Sequence, residues 1–281
     1  MASSEGSANR QSETAALESF RKALHSWRAR LFQTIWSFVQ RWPASSNESD
    51  FRAEYLRPIG RVLDADPRNT SFVKFDPTSK GFRPLKFADY HAAISSLNLH
   101  VGVPEDIVIQ FETAKNLYLY AWFVYRFYPV AEHHALTCLE FALRERFKGE
   151  IPKSYFRGDL PTLKPLLRYA IASGRVRNDG FRRWHERAEM RARYRYEQEK
   201  AREMDEKGLE SIILDYSEIQ VEERDRDWDY VGILLDTLPA SRNDYAHGSS
   251  SLHNQVRGTI ELAAEIINQN IPNRGSAPQG R

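Results

Sequence analysis

The stretch PVAEHHALTCLEFALRERF, residues 129 to 147, carries a regular helical pattern in the 281-residue sequence. Apolar residues recur along it at steps of three and four, the spacing that places them on one face of an α-helix. They are Ala135, Leu139, Ala142 or Leu143, and Phe147. Pro129 suits the first turn, where a missing N–H does no harm. The stretch therefore predicts a helix with one face against a core.

Helical patterns continue on both sides of this stretch. Upstream, PEDIVIQFETAKNLYLYAWFVYRF (104 to 127) begins with proline and two acids and is apolar almost all round, which predicts a buried central helix. Downstream, LPTLKPLLRYAIASG (160 to 174) predicts a helix that ends at its closing glycine. DWDYVGILLDTL (227 to 238) and SLHNQVRGTIELAAEIINQNI (251 to 271) predict two more helices, with Pro239 restarting the chain between them.

Residues 13 to 102 form a less regular N-terminal extension. Apolar residues from Leu17 to Leu31 recur at helical spacing and predict one helix from about Glu13 to Trp42. Proline, glycine, aspartate and asparagine are frequent after it. Within this irregular part, TSFVKF (70 to 75) predicts a short strand and LKFADYHAAISSL (85 to 97) a short helix.

A charged insert occupies residues 175 to 207. Ten basic and five acidic residues lie between Arg175 and Arg202, which predicts an exposed helix. Arg187, Arg191 and Arg195 are four apart and form a stripe. The stripe has aromatic and acidic neighbours: Trp184, Tyr194, Glu189, Glu197 and Glu199. Cations beside aromatic rings favour RNA binding, and the alternative is a solvated helix balanced by its acids. The following LESIILDYSEIQ fits either a strand or a helix.

Composition excludes several classes of protein. The single cysteine, Cys138, allows no internal disulfide and no four-cysteine metal site, and its side chain is expected in the core. The longest apolar run, Leu117 to Tyr125, is shorter than the roughly 20 residues of a membrane-spanning helix. MASSEGSANRQSE lacks the layout of a secretory signal, so the cytoplasm is the expected compartment. Residues 1 to 12 and 272 to 281 are small and polar and are expected to be disordered.

The motif that bears on function is SRNDYAHGSS, residues 241 to 250. It places Arg242 five positions before His247, with Asn243 next to the arginine. The bare pattern Arg-x4-His arises easily by chance, and the longer Arg-Asn-x-x-Ala-His-Gly is more specific. Together with HHALTCLEFALRERF and LKPLLRYAIASG upstream, it resembles the HEPN superfamily of helical-bundle proteins. The resemblance covers residues 104 to 271, apart from the charged insert.

The resemblance implies an all-α fold, with a HEPN-like helical bundle over residues 103 to 271. It also implies a metal-independent endoribonuclease that needs no cofactor, with Arg242 and His247 as catalytic residues. Asn243 fits the polar residue that commonly follows the arginine. The implied partners are RNA, a second copy of the chain in a homodimer, and an antitoxin or other regulatory protein. Roles as a toxin or in phage defence follow from the same resemblance. Ser249 stands where a nucleotidylation-regulated branch has tyrosine, so that branch is not assigned.

The chemistry of the two residue types agrees with this function. RNA carries its own nucleophile, the 2′-OH, so cleavage needs a proton taken from that oxygen and one given to the leaving 5′ oxygen. An imidazole, with an ordinary pKa near 6.5, can do either at neutral pH. A guanidinium matches the phosphate oxygens and stabilises the negative charge of the transition state.

Two other interpretations of the motif stay open. Arg242 and His247 could only cap the last carbonyls of a helix, with Gly248 at the left-handed position that ends it. The domain could also be a non-catalytic HEPN-like module that binds nucleotide, RNA or a protein. Tyr245 could stack on a base, and burial is its alternative.

The helix of residues 129 to 147 holds further candidates. Glu140 and Arg144 are four apart and predict a salt bridge, and Glu140 is also a candidate for orienting Arg242. His133 and His134 point in different directions on a helix and are a poor metal pair. One of them is expected to face the core and the other the surface or a partner.

Overall fold

The computed structural model describes residues 55–246 and 252–273. These parts of the chain are mainly helical, with one two-stranded sheet. The predicted helix from Glu13 to Trp42 and the first predicted tail lie outside the described residues, as does nearly all of the second. The helices are α1 (Pro67–Thr70), α2 (Phe87–Ser95), α3 (Glu105–Tyr120), α4 (Phe127–Arg146), α5 (Leu163–Ala172), α6 (Arg182–Glu206), α7 (Tyr230–Ala246) and α8 (Val256–Asn270).

Helices α3, α4 and α8 pack together at the centre, as the apolar patterns predict. Along α4 the buried side chains include Ala135, Leu139, Ala142, Leu143 and, just beyond its end, Phe147. The apolar faces of α3 and α8 pack against this core because each can leave water only against another helix. Cys138 is buried here as expected, and burial raises the pKa of its thiol to about 12.

Helix α3 is shorter than predicted, because contacts from the N-terminal segment end it. The Asn69 side-chain amide donates to the carbonyls of Ala121 (2.8 Å) and Trp122 (3.0 Å). The Asp66 carboxylate accepts from the Tyr125 N–H at 3.3 Å. Both polar side chains are fully buried. They satisfy backbone groups of a turn between α3 and α4 that would otherwise be orphaned, so the chain leaves the helix there.

The segment before α3 shares the core of the bundle. Strand β1 (Val73–Asp76) pairs antiparallel with β2 (Gly81–Pro84), and β1 overlaps the predicted strand at residues 73 to 75. Helix α2 forms where predicted, and Tyr90, Ile94 and Leu97 join the same buried cluster as the central helices. Within the described residues, therefore, the segment before residue 102 and the helices after it share one core.

The prediction that Pro239 restarts the chain is wrong. Pro239 lies inside α7, which runs without a break from Tyr230 to Ala246. A proline in a helix interior loses one backbone hydrogen bond. Here the buried side chains of Leu234, Leu238 and Pro239 face the core, and this packing offsets the loss. As a result, Arg242 and Tyr245 stand on the same helix as these buried residues.

Two further segments clarify the topology. Helix α5 ends just before Gly174, whose φ of 69° is the left-handed conformation that favours glycine at a helix end. The ambiguous LESIILDYSEIQ is neither a strand nor an α-helix and contains only the 3₁₀ turn Tyr216–Glu218. No helix in the described ranges has the length and apolar character needed to cross a membrane.

Candidate functional site

A buried carboxylate on α4 meets the arginine of the motif. Glu140 is only 5% exposed, and its Oε2 lies 3.2 Å from Nε of Arg242 on α7. Among the described residues neither of these two atoms has an aligned hydrogen-bond partner, so charge holds the pair. Glu140 Oε1 accepts a hydrogen bond from Nη2 of Arg144 at 2.5 Å, which confirms the predicted salt bridge within α4. One carboxylate thus lies between two guanidinium groups.

This cluster has an excess of positive charge at the surface. Two arginines share one carboxylate, and the side chain of Arg242 is 27% exposed. The pKa of His133 is lowered, first by burial and then by the charges of Arg242 and His134, while Glu140 acts in the opposite direction. His133 is therefore neutral at neutral pH, and an anion that reaches Arg242 would meet a guanidinium that shares its carboxylate with Arg144.

A second buried carboxylate on α4 contacts the end of the same helix. Glu132 is 6% exposed, and its Oε2 accepts a hydrogen bond from the Tyr245 hydroxyl at 2.6 Å. Its Oε1 accepts from Oγ1 of Thr259 on α8 at 2.6 Å. Nε2 of His253 lies 2.9 Å from the Tyr245 oxygen and 3.3 Å from Glu132 Oε2. Glu132 therefore joins α4 to α7, to α8 and to the chain just before α8.

The predicted site residues are only partly brought together. The structure places Arg242 against Glu140 and half-buries Tyr245 against Glu132, while Asn243 is exposed on α7. His247 lies outside the described residues, as do Gly248 and Ser249.

The structure does not separate the two adjacent histidines as sharply as expected, and contact of either with a partner stays a prediction. His133 and His134 are both half-buried, rather than one in the core and one at the surface. They lie side by side on the helix, about 100° apart, so each meets the edge of the buried face.

Glu132, Thr259 and His253 were not predicted. Glu132 and Glu140 are eight residues apart, with Leu136 midway, so both carboxylates belong to one stripe of α4. The signal in the sequence is that Glu132 lies among the apolar residues Ala131, Ala135 and Leu136. A carboxylate in such surroundings indicates a buried polar contact. The sequence could not show which side chains would meet it.

The arginine stripe of the charged insert contacts the protein itself. Its helix, α6, forms as predicted, but residues 213 to 228 fold back along this side of it. The guanidinium of Arg187 lies 4.4 Å from the ring centre of Trp228, and Arg191 Nη1 donates to the Asp227 carbonyl at 2.8 Å. Arg195 Nη2 lies 2.9 Å from Oδ2 of buried Asp225. The expectation of a fully exposed stripe is thus wrong for Arg191 and Arg195, which are half-buried. Their role in RNA binding stays a prediction.

Arg195→Gln should release the folded-back segment. It removes the counter-charge of buried Asp225, whose pKa the Arg195 hydrogen bond lowers, together with an ion pair to Glu222 at 2.9 Å. A hydrogen bond to a charged group contributes about 1.5–3 kcal/mol, so local opening should be about tenfold more frequent or greater. Limited chymotrypsin digestion should then cut residues 209 to 229 correspondingly faster. Arg202→Gln, at an exposed arginine of the same helix, is the control and should leave the digestion rate unchanged.

Comparisons with known proteins add no relationship. No family model, curated protein or solved structure matches this chain. In the described ranges there is also no group of three or more histidine, cysteine, aspartate or glutamate side chains arranged to hold a metal ion. The resemblance to the HEPN superfamily therefore rests on the residues quoted above and on the order of the helices around them.

Proposed function

We propose that the chain is a HEPN-type endoribonuclease that cleaves RNA without a metal ion. The observation that carries the proposal is the pairing of Arg242 with buried Glu140. A guanidinium held against a fixed carboxylate, yet partly exposed, is oriented before a phosphate arrives, and such preorganisation is the main source of electrostatic catalysis. The all-helical surroundings agree with the fold that the resemblance implies.

In the proposed reaction, the 2′ oxygen attacks the adjacent phosphorus. The imidazole of His247 takes the proton of the 2′-OH, or in the complementary role gives a proton to the departing 5′ oxygen. The P–O5′ bond breaks, which leaves a 2′,3′-cyclic phosphate and a 5′-OH. Arg242 stabilises the extra negative charge on the phosphate oxygens. A homodimer would supply a second His247, so that one imidazole acts as base and the other as acid.

A non-catalytic module that binds nucleotide, RNA or a protein is the competing function. The observation that favours it is the same ion pair, because Glu140 already compensates part of the charge of Arg242. In that case the motif would only fasten α7 to α4, and bound RNA would remain intact.

A cleavage assay separates the two functions. Labelled RNA, and DNA of the same sequence, are incubated with the protein in EDTA. The proposal predicts that RNA is cut and that DNA survives, because DNA lacks the 2′-OH. Binding of RNA without cleavage, at any concentration of enzyme, would favour the module instead. An RNA-cleaving activity would also fit a cytoplasmic toxin or phage-defence effector under the control of an antitoxin.

A further inference from the structure

The two buried carboxylates of α4 contact the motif helix in a matched arrangement. Glu140 contacts Arg242, and Glu132, eight residues earlier, contacts Tyr245, three residues later. The chain order is opposite in the two helices, so α7 crosses α4 antiparallel along one seam. This part of α7 is thereby attached at two points, separated by roughly 12 Å along the axis of α4.

We propose that Glu132 is a positioning residue that holds the Arg242 guanidinium in its working orientation by fixing Tyr245. The kinetic part of this inference rests on the proposed ribonuclease function, and its geometric part rests on the described contacts alone. Glu132 takes no direct part in the proposed reaction, because it contacts neither Arg242 nor, in the proposal, the RNA.

The physical need for such a residue comes from the weak attachment of Arg242. Tyr245 lies on α7 three residues after Arg242, so the two side chains stand one turn apart on the same helix. Arg242 is attached there by a charge contact without an aligned hydrogen bond. The 2.6 Å hydrogen bond from Tyr245 to the buried Glu132 carboxylate fixes this turn of α7 against α4, and with it the backbone from which Arg242 projects.

The protonation of the contact is well defined. Burial, and then the neighbouring Glu132 carboxylate, raise the pKa of Tyr245 above its ordinary value. The hydroxyl therefore stays protonated and donates a hydrogen bond to Glu132. The single hydroxyl proton is used in this bond. His253 Nε2 must therefore be the donor to the Tyr245 oxygen at 2.9 Å. Tyr245 and His253 flank residues 247 to 251 in the chain, and both contact Glu132.

Thr259 offers a matched control, because it donates to the other oxygen of the same carboxylate at the same distance. Thr259→Val removes one hydrogen bond to Glu132, whereas Tyr245→Phe removes one hydrogen bond to Glu132 and also the contact of its hydroxyl with His253 Nε2. A merely structural role for Glu132 predicts equal effects of the two changes. A positioning role predicts that only the change on α7 disturbs Arg242.

The test measures stability, kinetics and the Nε–H NMR signal of Arg242, assigned by its loss in Arg242→Lys. Both variants should lose stability in urea, and Tyr245→Phe should lose at least as much as Thr259→Val, because it also loses the contact with His253. Tyr245→Phe should lower kcat on RNA by about tenfold with KM changed less than about twofold, since misorientation affects the transition state more than ground-state binding. It should also shift the Arg242 signal. Thr259→Val should change neither kcat nor the signal.

A double variant supplies a second criterion. Glu132→Ala should lower kcat at least as much as Tyr245→Phe, and the two together should be no slower than Glu132→Ala alone, because both remove the hydrogen bond between Tyr245 and Glu132. Equal effects of Tyr245→Phe and Thr259→Val on kcat and on the Arg242 signal would overturn the positioning role. A wild-type protein that leaves RNA intact would instead refute the ribonuclease function, and the NMR comparison would then decide the positioning role by itself.

Discussion

His247→Ala should lower the rate of RNA cleavage by about 10²-fold or more, the usual scale for the loss of a general acid or base. The expected cause is chemical, because alanine can neither take the proton of the 2′-OH nor give one to the 5′ oxygen. Single-turnover rates at saturating enzyme should show the loss with little change in RNA affinity.

His91→Ala is the matched control for this change. His91 is exposed on α2, so the same substitution there should leave the cleavage rate at the wild-type value. A His247→Ala protein that is folded and cleaves at the wild-type rate would remove His247 from the mechanism.

Arg242→Ala should reduce cleavage by a similar factor, about 10²-fold, through the loss of charge stabilisation in the transition state. Arg242→Lys should recover only part of the rate, since an ammonium cannot reproduce the two-pronged geometry of the guanidinium. Neither change should unfold the protein, because Glu140 keeps its hydrogen bond from Arg144. Far-UV circular dichroism and urea unfolding check this point alongside the kinetics.

Arg168→Ala, at an exposed arginine of α5, is the control for general loss of positive charge. Wild-type cleavage is expected there. Full recovery of activity by Arg242→Lys would contradict the proposed role of Arg242, because it would show that a point charge is sufficient.

The sequence predicted those parts of the fold that depend on periodic burial. The apolar residues of α4 recur at helical spacing because that helix is packed on one side, and α2, α5 and α8 were found for the same reason. The end of α3 was not found, since it is set by Asp66 and Asn69, which lie more than 50 residues away in the chain. The local sequence around the end of α3 cannot predict a contact with residues so far away in the chain.

Pro239 illustrates a second limit. A proline usually interrupts a helix, but its effect depends on whether packing offsets the lost hydrogen bond, and packing is a property of the whole fold. The arginine stripe shows the same limit for function. The spacing of Arg187, Arg191 and Arg195 places them along one side of α6, yet only the folded-back segment determines how much of each remains accessible.

In the candidate site, too, one contact was predicted and another was not. Glu140 could be proposed as a partner of Arg242 because the resemblance implies a fold in which its helix packs near the motif, and the structure places its Oε2 3.2 Å from Arg242 Nε. The contact of Glu132 with Tyr245 could not be predicted, because it depends on how α7 crosses α4 and joins residues more than 100 positions apart. The sequence supplies the residue types of this site, and the antiparallel crossing supplies their pairing.

Analysis of the product ends by mass spectrometry tests the central claim most directly. A defined RNA oligonucleotide is cleaved in EDTA, and the masses of both fragments are measured. Attack by the 2′-OH predicts a 2′,3′-cyclic phosphate, or the monophosphate derived from it, on one fragment and a 5′-OH on the other. A single 2′-deoxy residue at the cleavage position should abolish that cut. Fragments with a 3′-OH and a 5′-phosphate, or cleavage only after Mg²⁺ is added, would contradict the account.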